Sequence, residues 1–321
     1  MATTRVRPPF DPELEAALAL IGEQMPPTLT AEMIPLLRSA PLAQPSPDAL
    51  VEAGLETRDV TIDGHGGAPI EVTVIQAAGR TGVGPGILHT HGGGMIMGDR
   101  WTGASGLFEA IVKFNAVVVT VEYRLAPEFP DPTPVEDCYA GLVWTAEHAT
   151  ELGIDADRLM IAGASAGGGL AAGVALLARD RRGPHLCAQL LMYPMLDDRD
   201  STLSTSQIDG EGVWDRGSNL TGWTALLGDR RGTEDVSIYA APARATDLSG
   251  LPPAFIDCGS AEVFRDEDIA YASAIWAAGG QAELHVWPGG FHGFEQLAPQ
   301  ARLSHEMVSA RAAWLDRILG S

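Results

Sequence analysis

The stretch RLMIAGASAGGGLAAGVALLA, residues 158–178, decides how the rest of the chain is read. Its first six residues form a short apolar run that predicts a buried strand. The small-residue run from Gly167 has a helix-compatible composition, so Ser165 falls on the turn between the two. Flanking side chains would collide in so tight a turn, and Gly163 and Gly167, two positions to either side, let the backbone close. The Ser165 hydroxyl then stands clear of the strand tip. A bare G-x-S-x-G string is common, and a glycine-serine turn can serve packing alone. The strand before it and the helix after it give this one chemical meaning.

Working outward, short apolar runs recur: GILHTH (86–91), VVVTVE (117–122), CAQLLMY (187–193), PAFIDCG (253–259) and AELHVW (282–287). Most are separated by enough chain for a helix, the pattern of a parallel sheet covered on both faces. Upstream, RDVTID (58–63) and IEVTVIQ (70–76) flank the turn-forming GHGGAP and predict an antiparallel pair at a sheet edge. Thr133, Pro134 and Glu136 predict a capping box that opens a helix ending near Gly153. The first fifty residues predict two short helices, the first marked by Asp11, Pro12 and a stripe of Leu14, Ala17, Leu18 and Ile21, with a linker from Ala40 to Pro47. Residues 197–236, rich in Ser, Thr, Asp and Gly and carrying Trp214 and Trp223, break the rhythm as an insertion. On sequence alone it is a lid or a plain surface excursion.

His91-Gly-Gly-Gly94 follows the GILHTH strand. Glycines there let bare amides approach a carbonyl oxygen, so the N–H groups of Gly92, Gly93 and Ala166 are the expected donors to the oxyanion of a tetrahedral intermediate. A phosphate-cradling loop would carry a lysine, which is absent. His91 is expected to brace this loop, and His89 with His91 lacks a third ligand for a metal. His292, on the glycine-rich loop WPGGFHGF after the last strand, is the expected base. His65, His148, His185 and His285 suit structural roles. For the acid, the segment after PAFIDCG offers Asp257, Glu262, Asp266, Glu267 and Asp268. Asp257 reads as strand and the last three as a helix start. Sequence chemistry alone leaves the choice open; Glu262 lies between them, in the loop, where it would accept the second ring N–H of His292 and hold its tautomer.

Composition narrows the class. A net charge of −21 repels polyphosphate and argues against nucleic acid as a partner. Lys113 is the only lysine, so Schiff-base chemistry would rest on one residue. Cys138, Cys187 and Cys258 sit in apolar stretches without CxxC spacing and read as buried free thiols. No apolar run reaches eighteen residues and the first fifteen lack signal-peptide features, so a cytoplasmic protein without a membrane span is expected.

Several motifs together resemble the hormone-sensitive-lipase family of α/β-hydrolases, also called bacterial family IV esterases. They are HGGG from His91, YRLAPEFPDPTPVEDC from Tyr123, DADRLMIAGASAGG through Ser165, YPMLDDR from Tyr193, LPPAFIDCGSAEVFRDE from Leu251 and PGGFHGFE from Pro288. The likeness runs from about residue 55 to the C-terminus. It implies an α/β-hydrolase fold with a mostly parallel sheet of about eight strands, flanked by helices and roofed by a helical cap. Residues 1–50 and about 197–236 would form that cap, and the catalytic domain would span 51–321. By resemblance Ser165 is the nucleophile, His292 the base, and Gly92, Gly93 and Ala166 the oxyanion donors. Glu262 stands where many members have aspartate, and Ala164 replaces the commoner aspartate or threonine before the serine. The resemblance further implies a homodimer with AELHVW as candidate contact.

The expected reaction is attack of Ser165 on a small acyl ester, giving an acyl-enzyme that water hydrolyses, with no cofactor and with a rate that rises through neutrality as an imidazole base loses its proton. Carbohydrate acetylesterase, arylformamidase and amidase activities would use the same machinery. A ligand-binding protein on this fold is the non-enzyme alternative, against which His292 argues. Trp101, Trp214 and Trp223 are candidates to narrow the site toward short acyl chains.

Overall fold

In the computed structural model, which describes residues 6–23, 25–39 and 44–320, eight strands form one sheet. They are β1 (Leu55–Asp63), β2 (Pro69–Ala77), β3 (Gly84–Thr90), β4 (Val117–Glu122), β5 (Ile154–Ala164), β6 (Ala188–Met192), β7 (Ala254–Gly259) and β8 (Ala282–Trp287). Their spatial order is β1-β2-β4-β3-β5-β6-β7-β8, with antiparallel pairing only of β2 with β1 and β4. The expected edge hairpin is therefore present. The inner strands are apolar on both faces because both are covered: β3 is buried along its whole length, and β4 is buried at every position but its last.

Twelve α-helices complete the described chain. The first three are α1 (Pro12–Gly22), α2 (Ile34–Ser39) and α3 (Pro47–Glu52), where sequence predicted two. Asp11 caps α1 by accepting from the amides of Glu13 and Leu14. Proline and aspartate after Ser46 start α3, so the linker expected to reach Pro47 is shorter, and its residues 40–43 lie outside the described ones. Next come α4 (Phe108–Phe114), α5 (Thr133–Glu147), α6 (Ala149–Leu152), α7 (Ala166–Arg181), α8 (Leu203–Gln207) and α9 (Arg216–Leu227). The chain closes with α10 (Arg265–Ala277), α11 (Phe294–Leu297) and α12 (Arg302–Leu319).

The capping box expected at Thr133 does not form. Pro132 holds the cap position without any side-chain bond to the helix, Thr133 is already helical, and Glu136 turns outward to Arg181 at 2.8 Å. The helix stops at Glu147, and the separate turn α6 runs to Gly153, whose positive φ of 64° ends it. Of the three cysteines, Cys138 and Cys258 are buried as expected, whereas Cys187 is half-buried; all are unpaired.

Side chains of β5, β6 and β7 alternate between two layers. Leu159, Ile161, Leu191 and Ile256 join the layer of α7, while Met160, Ala162, Leu190 and Phe255 join Ile111 of α4 and Trp314 of α12. The N-terminal segment ties into the insertion: Thr28 Oγ1 donates to Asp215 at 2.6 Å, and Ser218 Oγ accepts from the Leu29 amide at 2.9 Å. It also reaches the far end of the chain. The Asp11 amide donates to the Gly289 carbonyl at 3.0 Å, and Phe10 packs edge-on against Phe291. Among the described residues no helix is long and apolar enough to cross a membrane.

Candidate active site

Ser165 sits between β5 and α7, on the turn its sequence predicts, with φ 58° and ψ −123°. A non-glycine residue at such angles costs on the order of 1–3 kcal/mol and persists only where its surroundings over-determine it. Here β6 and the chain after it do so. The Ser165 amide donates to the Met192 carbonyl at 2.9 Å, and the Ser165 carbonyl accepts from Met195 at 2.9 Å and Gly169 at 3.0 Å. The flanking glycines are sterically required. A Cβ on Gly163 would fall 2.2 Å from the Gly167 carbonyl oxygen, and one on Gly167 would fall 2.0 Å from that of Thr90.

Ser165 Oγ lies 2.9 Å from His292 Nε2, and His292 Nδ1 lies 3.2 Å from Glu262 Oε1. A carboxylate only accepts, so the ring proton sits on Nδ1, facing Glu262, and Nε2 is the lone pair that takes the serine hydroxyl. The second oxygen of Glu262 accepts the Gly259 amide at 2.7 Å. All three side chains are buried, Ser165 being 7% and His292 9% exposed. The imidazole is held edge-on by two rings, Tyr193 at 4.9 Å and Phe264 at 5.1 Å between centroids.

The His91–Gly94 loop runs beside the serine. A Cβ on Gly92 would come within 3.1 Å of the Ala164 carbonyl oxygen and 3.5 Å of Ser165 Cβ, so the backbone of Gly92 passes beside the serine. Gly93, with φ 118°, turns the loop so that its carbonyl accepts from Ile96 and Met97. His91 braces the loop: Nδ1 donates to the Gly92 carbonyl at 2.8 Å, the ring stacks on Tyr123 at 4.0 Å, and the Tyr123 hydroxyl donates to the His91 carbonyl. Burial pushes His91 down to about 4, against the pull of the Gly92 carbonyl, so the ring is neutral.

The remaining acid candidates do other work. Asp257 lies in β7 and takes two bonds from Arg311. Asp266 accepts the Ser204 amide, and Glu267 accepts the amides of Leu196 and Asp197. Asp268 is buried beside Cys258, away from His292, and burial followed by the nearby Glu262 raises it well above the carboxylate range. Of the other histidines, His65 and His185 are exposed, His148 stacks on Trp144, and His285 lies in β8 between Phe255 and Trp287. Lys113 is ion-paired with Asp316 at the surface.

Sequence reasoning missed one assembly behind the histidine. Arg311 of α12 bridges Asp257 and Glu295, and Glu295 accepts the hydroxyl of Tyr193, the ring that packs on His292. Only Glu295, three residues after His292 in PGGFHGFE, carried a local signal. Of the three tryptophans singled out from sequence, Trp214 lies directly on Gly94, where a Cβ would fall 2.1 Å from its ring. Trp223 is buried on α9, and Trp101 belongs to the wall of another cavity.

The profile of the alpha/beta hydrolase fold matches residues 87–296, nearly two thirds of the chain and the part that holds Ser165, Glu262, His292 and the His91–Gly94 loop. The chain belongs to the α/β-hydrolase family. Within it, the chain is 35% identical to the carboxylesterase NlhH of Mycobacterium tuberculosis over 312 residues, which cover 96% of this chain and 97% of that one. Among solved structures it is similar to a bacterial heroin esterase, with a TM-score of 0.87, 37% identity and coverage of 97% of this chain and 98% of the other. It is also similar to the esterase LipW of Mycobacterium marinum, with a TM-score of 0.84, 32% identity and 98% of each chain covered. The resemblance to hormone-sensitive-lipase-type hydrolases, read from motifs alone, is borne out.

Proposed function

We propose that this hydrolase is a serine carboxylesterase that cleaves short-chain acyl esters, with Ser165 as nucleophile, His292 as base and Glu262 as the carboxylate that orients it. The supporting observation is the unbroken relay from Ser165 Oγ through His292 to Glu262, at 2.9 and 3.2 Å, with the backbone of Gly92 passing beside the serine. His292 takes the serine proton as Oγ attacks the ester carbonyl, and Glu262 steadies the imidazolium. The carbonyl oxygen, now an anion, receives the N–H groups of Gly92, Gly93 and Ala166; loss of one such donor typically costs about 10² to 10³ in rate. His292 returns its proton to the leaving alkoxide. A water then repeats the sequence on the acyl-enzyme, releasing the acid and restoring Ser165.

The short-chain preference rests on the low exposure of Ser165 and on Trp214, which closes down over Gly94. Residues 197–236 and the N-terminal segment, tied to each other through Asp215 and Ser218, act as the cap. A homodimer would form along β8, which pairs with β7 alone and has Trp276 and Val286 exposed beside it. The unpaired cysteines agree with a reducing compartment such as the cytoplasm.

Aryl esters from acetyl to palmitoyl, assayed with the wild type and Ser165→Ala, test the reading. Turnover is expected to peak on short chains and to fall by roughly 10⁴ or more in the variant. A maximum on long chains would overturn the chain-length claim, and equal rates for the two proteins would remove Ser165 from its role.

A further inference from the structure

Between α4 and α12, on the face of the sheet away from α7, lies a cavity of about 570 Å³, the size of ordinary small-molecule sites. Ser165 and His292 are not on its wall. Its sides are apolar: Leu107 and Phe114 on one side, Leu190 and Met192 from β6 as floor, and Leu315 opposite. An apolar chamber would require nothing further, but this one carries polar groups whose bonding is incomplete.

Glu295 lines the cavity and is 93% buried by its 7% exposure; one of its oxygens accepts from Tyr193 and Arg311, while Oε2 has no donor. Burial opposes its ionisation, yet Arg311 and the Tyr193 hydroxyl outweigh burial and hold the carboxyl below its usual range. On the other side stands Gly103, also on the wall, and behind it His89 Nε2 lies 3.7 Å from where a Gly103 Cβ would be. Thr120 spends its hydroxyl proton on the Arg100 carbonyl, so His89 Nδ1 must be the donor to Thr120. Nε2 is therefore a bare lone pair, fully buried and without a partner. Leaving a buried acceptor unmet costs about 1–3 kcal/mol.

Both incomplete groups are acceptors. The cations on the wall are committed, Arg311 to Asp257 and Glu295 and Lys113 to Asp316. Four carboxylates line the cavity, Asp99, Glu109, Glu295 and Asp316, against those two cations, in a chain of net charge −21. An anionic guest would meet repulsion from this excess of carboxylates. We propose that this cavity is a second ligand site, which takes a small organic ammonium ion with an aromatic or branched aliphatic body, its N–H groups on Glu295 and its body between α4 and α12.

Three probes with one body separate the chemistries: 2-phenylethylamine, 2-phenylethanol and 3-phenylpropanoate, titrated calorimetrically into the full chain at pH 7.5. The amine should bind at least ten-fold tighter than the alcohol, because a charge-assisted bond is about twice as strong as a neutral one, and the carboxylate should bind weakest. Ala312→Phe places a ring into the cavity from its α12 wall and should weaken the amine at least ten-fold, with thermal unfolding recorded to show that the variant is folded. Glu295→Gln should abolish the preference for amine over alcohol. Amine binding that survives Ala312→Phe, or an alcohol or carboxylate that binds as tightly as the amine, would overturn the assignment, as would no binding of the amine at millimolar concentration. None of these readouts depends on ester hydrolysis, so the catalytic reading stands or falls separately.

Discussion

Replacing Glu262 with glutamine changes one atom and tests how the relay works. The carboxylate accepts twice, from the His292 ring on Oε1 at 3.2 Å and from the Gly259 amide on Oε2 at 2.7 Å. A glutamine has one acceptor and one donor in those places. If its oxygen faced the ring, its NH₂ would meet the Gly259 N–H, donor against donor, inside a buried site. The amide therefore turns to give its oxygen to Gly259 and its NH₂ to His292. That forces Nδ1 to be the lone pair and puts the ring proton on Nε2, where it blocks acceptance of the Ser165 proton. The fold is untouched, but the base is in the wrong tautomer. A loss of kcat of about 10³ to 10⁴ is expected, the size seen when an orienting carboxylate becomes an amide elsewhere. Glu262→Asp keeps two acceptors on a shorter arm and should lose far less. Stopped assays with an aryl acetate, alongside thermal unfolding of each variant, read both effects. A Glu262→Gln enzyme within ten-fold of wild type would refute the argument and assign the orienting role to another group.

Three further outcomes follow from the geometry. Burial, with His91 nearby, pushes His89 down to about 3, and burial pushes His91 to about 4, so both depressed histidines bind protons in the unfolded chain before the folded one. The stability these two rings govern is therefore full above the unfolded value and lost as pH falls; at pH 5 each ring removes about 2 kcal/mol, and His89→Asn, which keeps a donor for Thr120, should make the change between pH 8 and pH 5 in urea unfolding about 2 kcal/mol less unfavourable than in the wild type. Arg311→Met strands Asp257 and Glu295 without their shared cation and should cost about 3–5 kcal/mol in urea unfolding, where a loss under 1 kcal/mol would deny the triad its structural weight. Ser165→Gly and Ser165→Ala both lack the hydroxyl, but only glycine is at ease at φ 58°, so the glycine variant should be more stable than the alanine variant by about 1 kcal/mol; the reverse order would mean the turn is unstrained.

The features read correctly from sequence are those whose cause is local. VVVTVE is a strand because β-branched side chains suit a pleated, doubly covered surface, and the glycines around Ser165 announce a turn no other residues could close. Thr133 shows where local reading fails. Its neighbours spell a capping box, but Glu136 finds Arg181, forty-five residues away, a stronger partner than a helix amide. Arg311 was invisible for the same reason: its partners Asp257 and Glu295 are distant in sequence, and nothing in ARAAWLDR distinguishes a buried arginine from a solvated one. The place of Glu262 beside His292 was readable only because a loop between strand and helix left one carboxylate free to turn.

The strap between Asp11 and Gly289 bears on the order in which the molecule comes into being. Phe10 and Asp11 buttress the loop that carries His292, far along the chain from them. On refolding, sequence-local parts can collapse early, but the imidazole has no seat until these two distant segments meet. On dilution from urea the sheet should therefore form first, and any hydrolytic activity should return later, in a separate slower step.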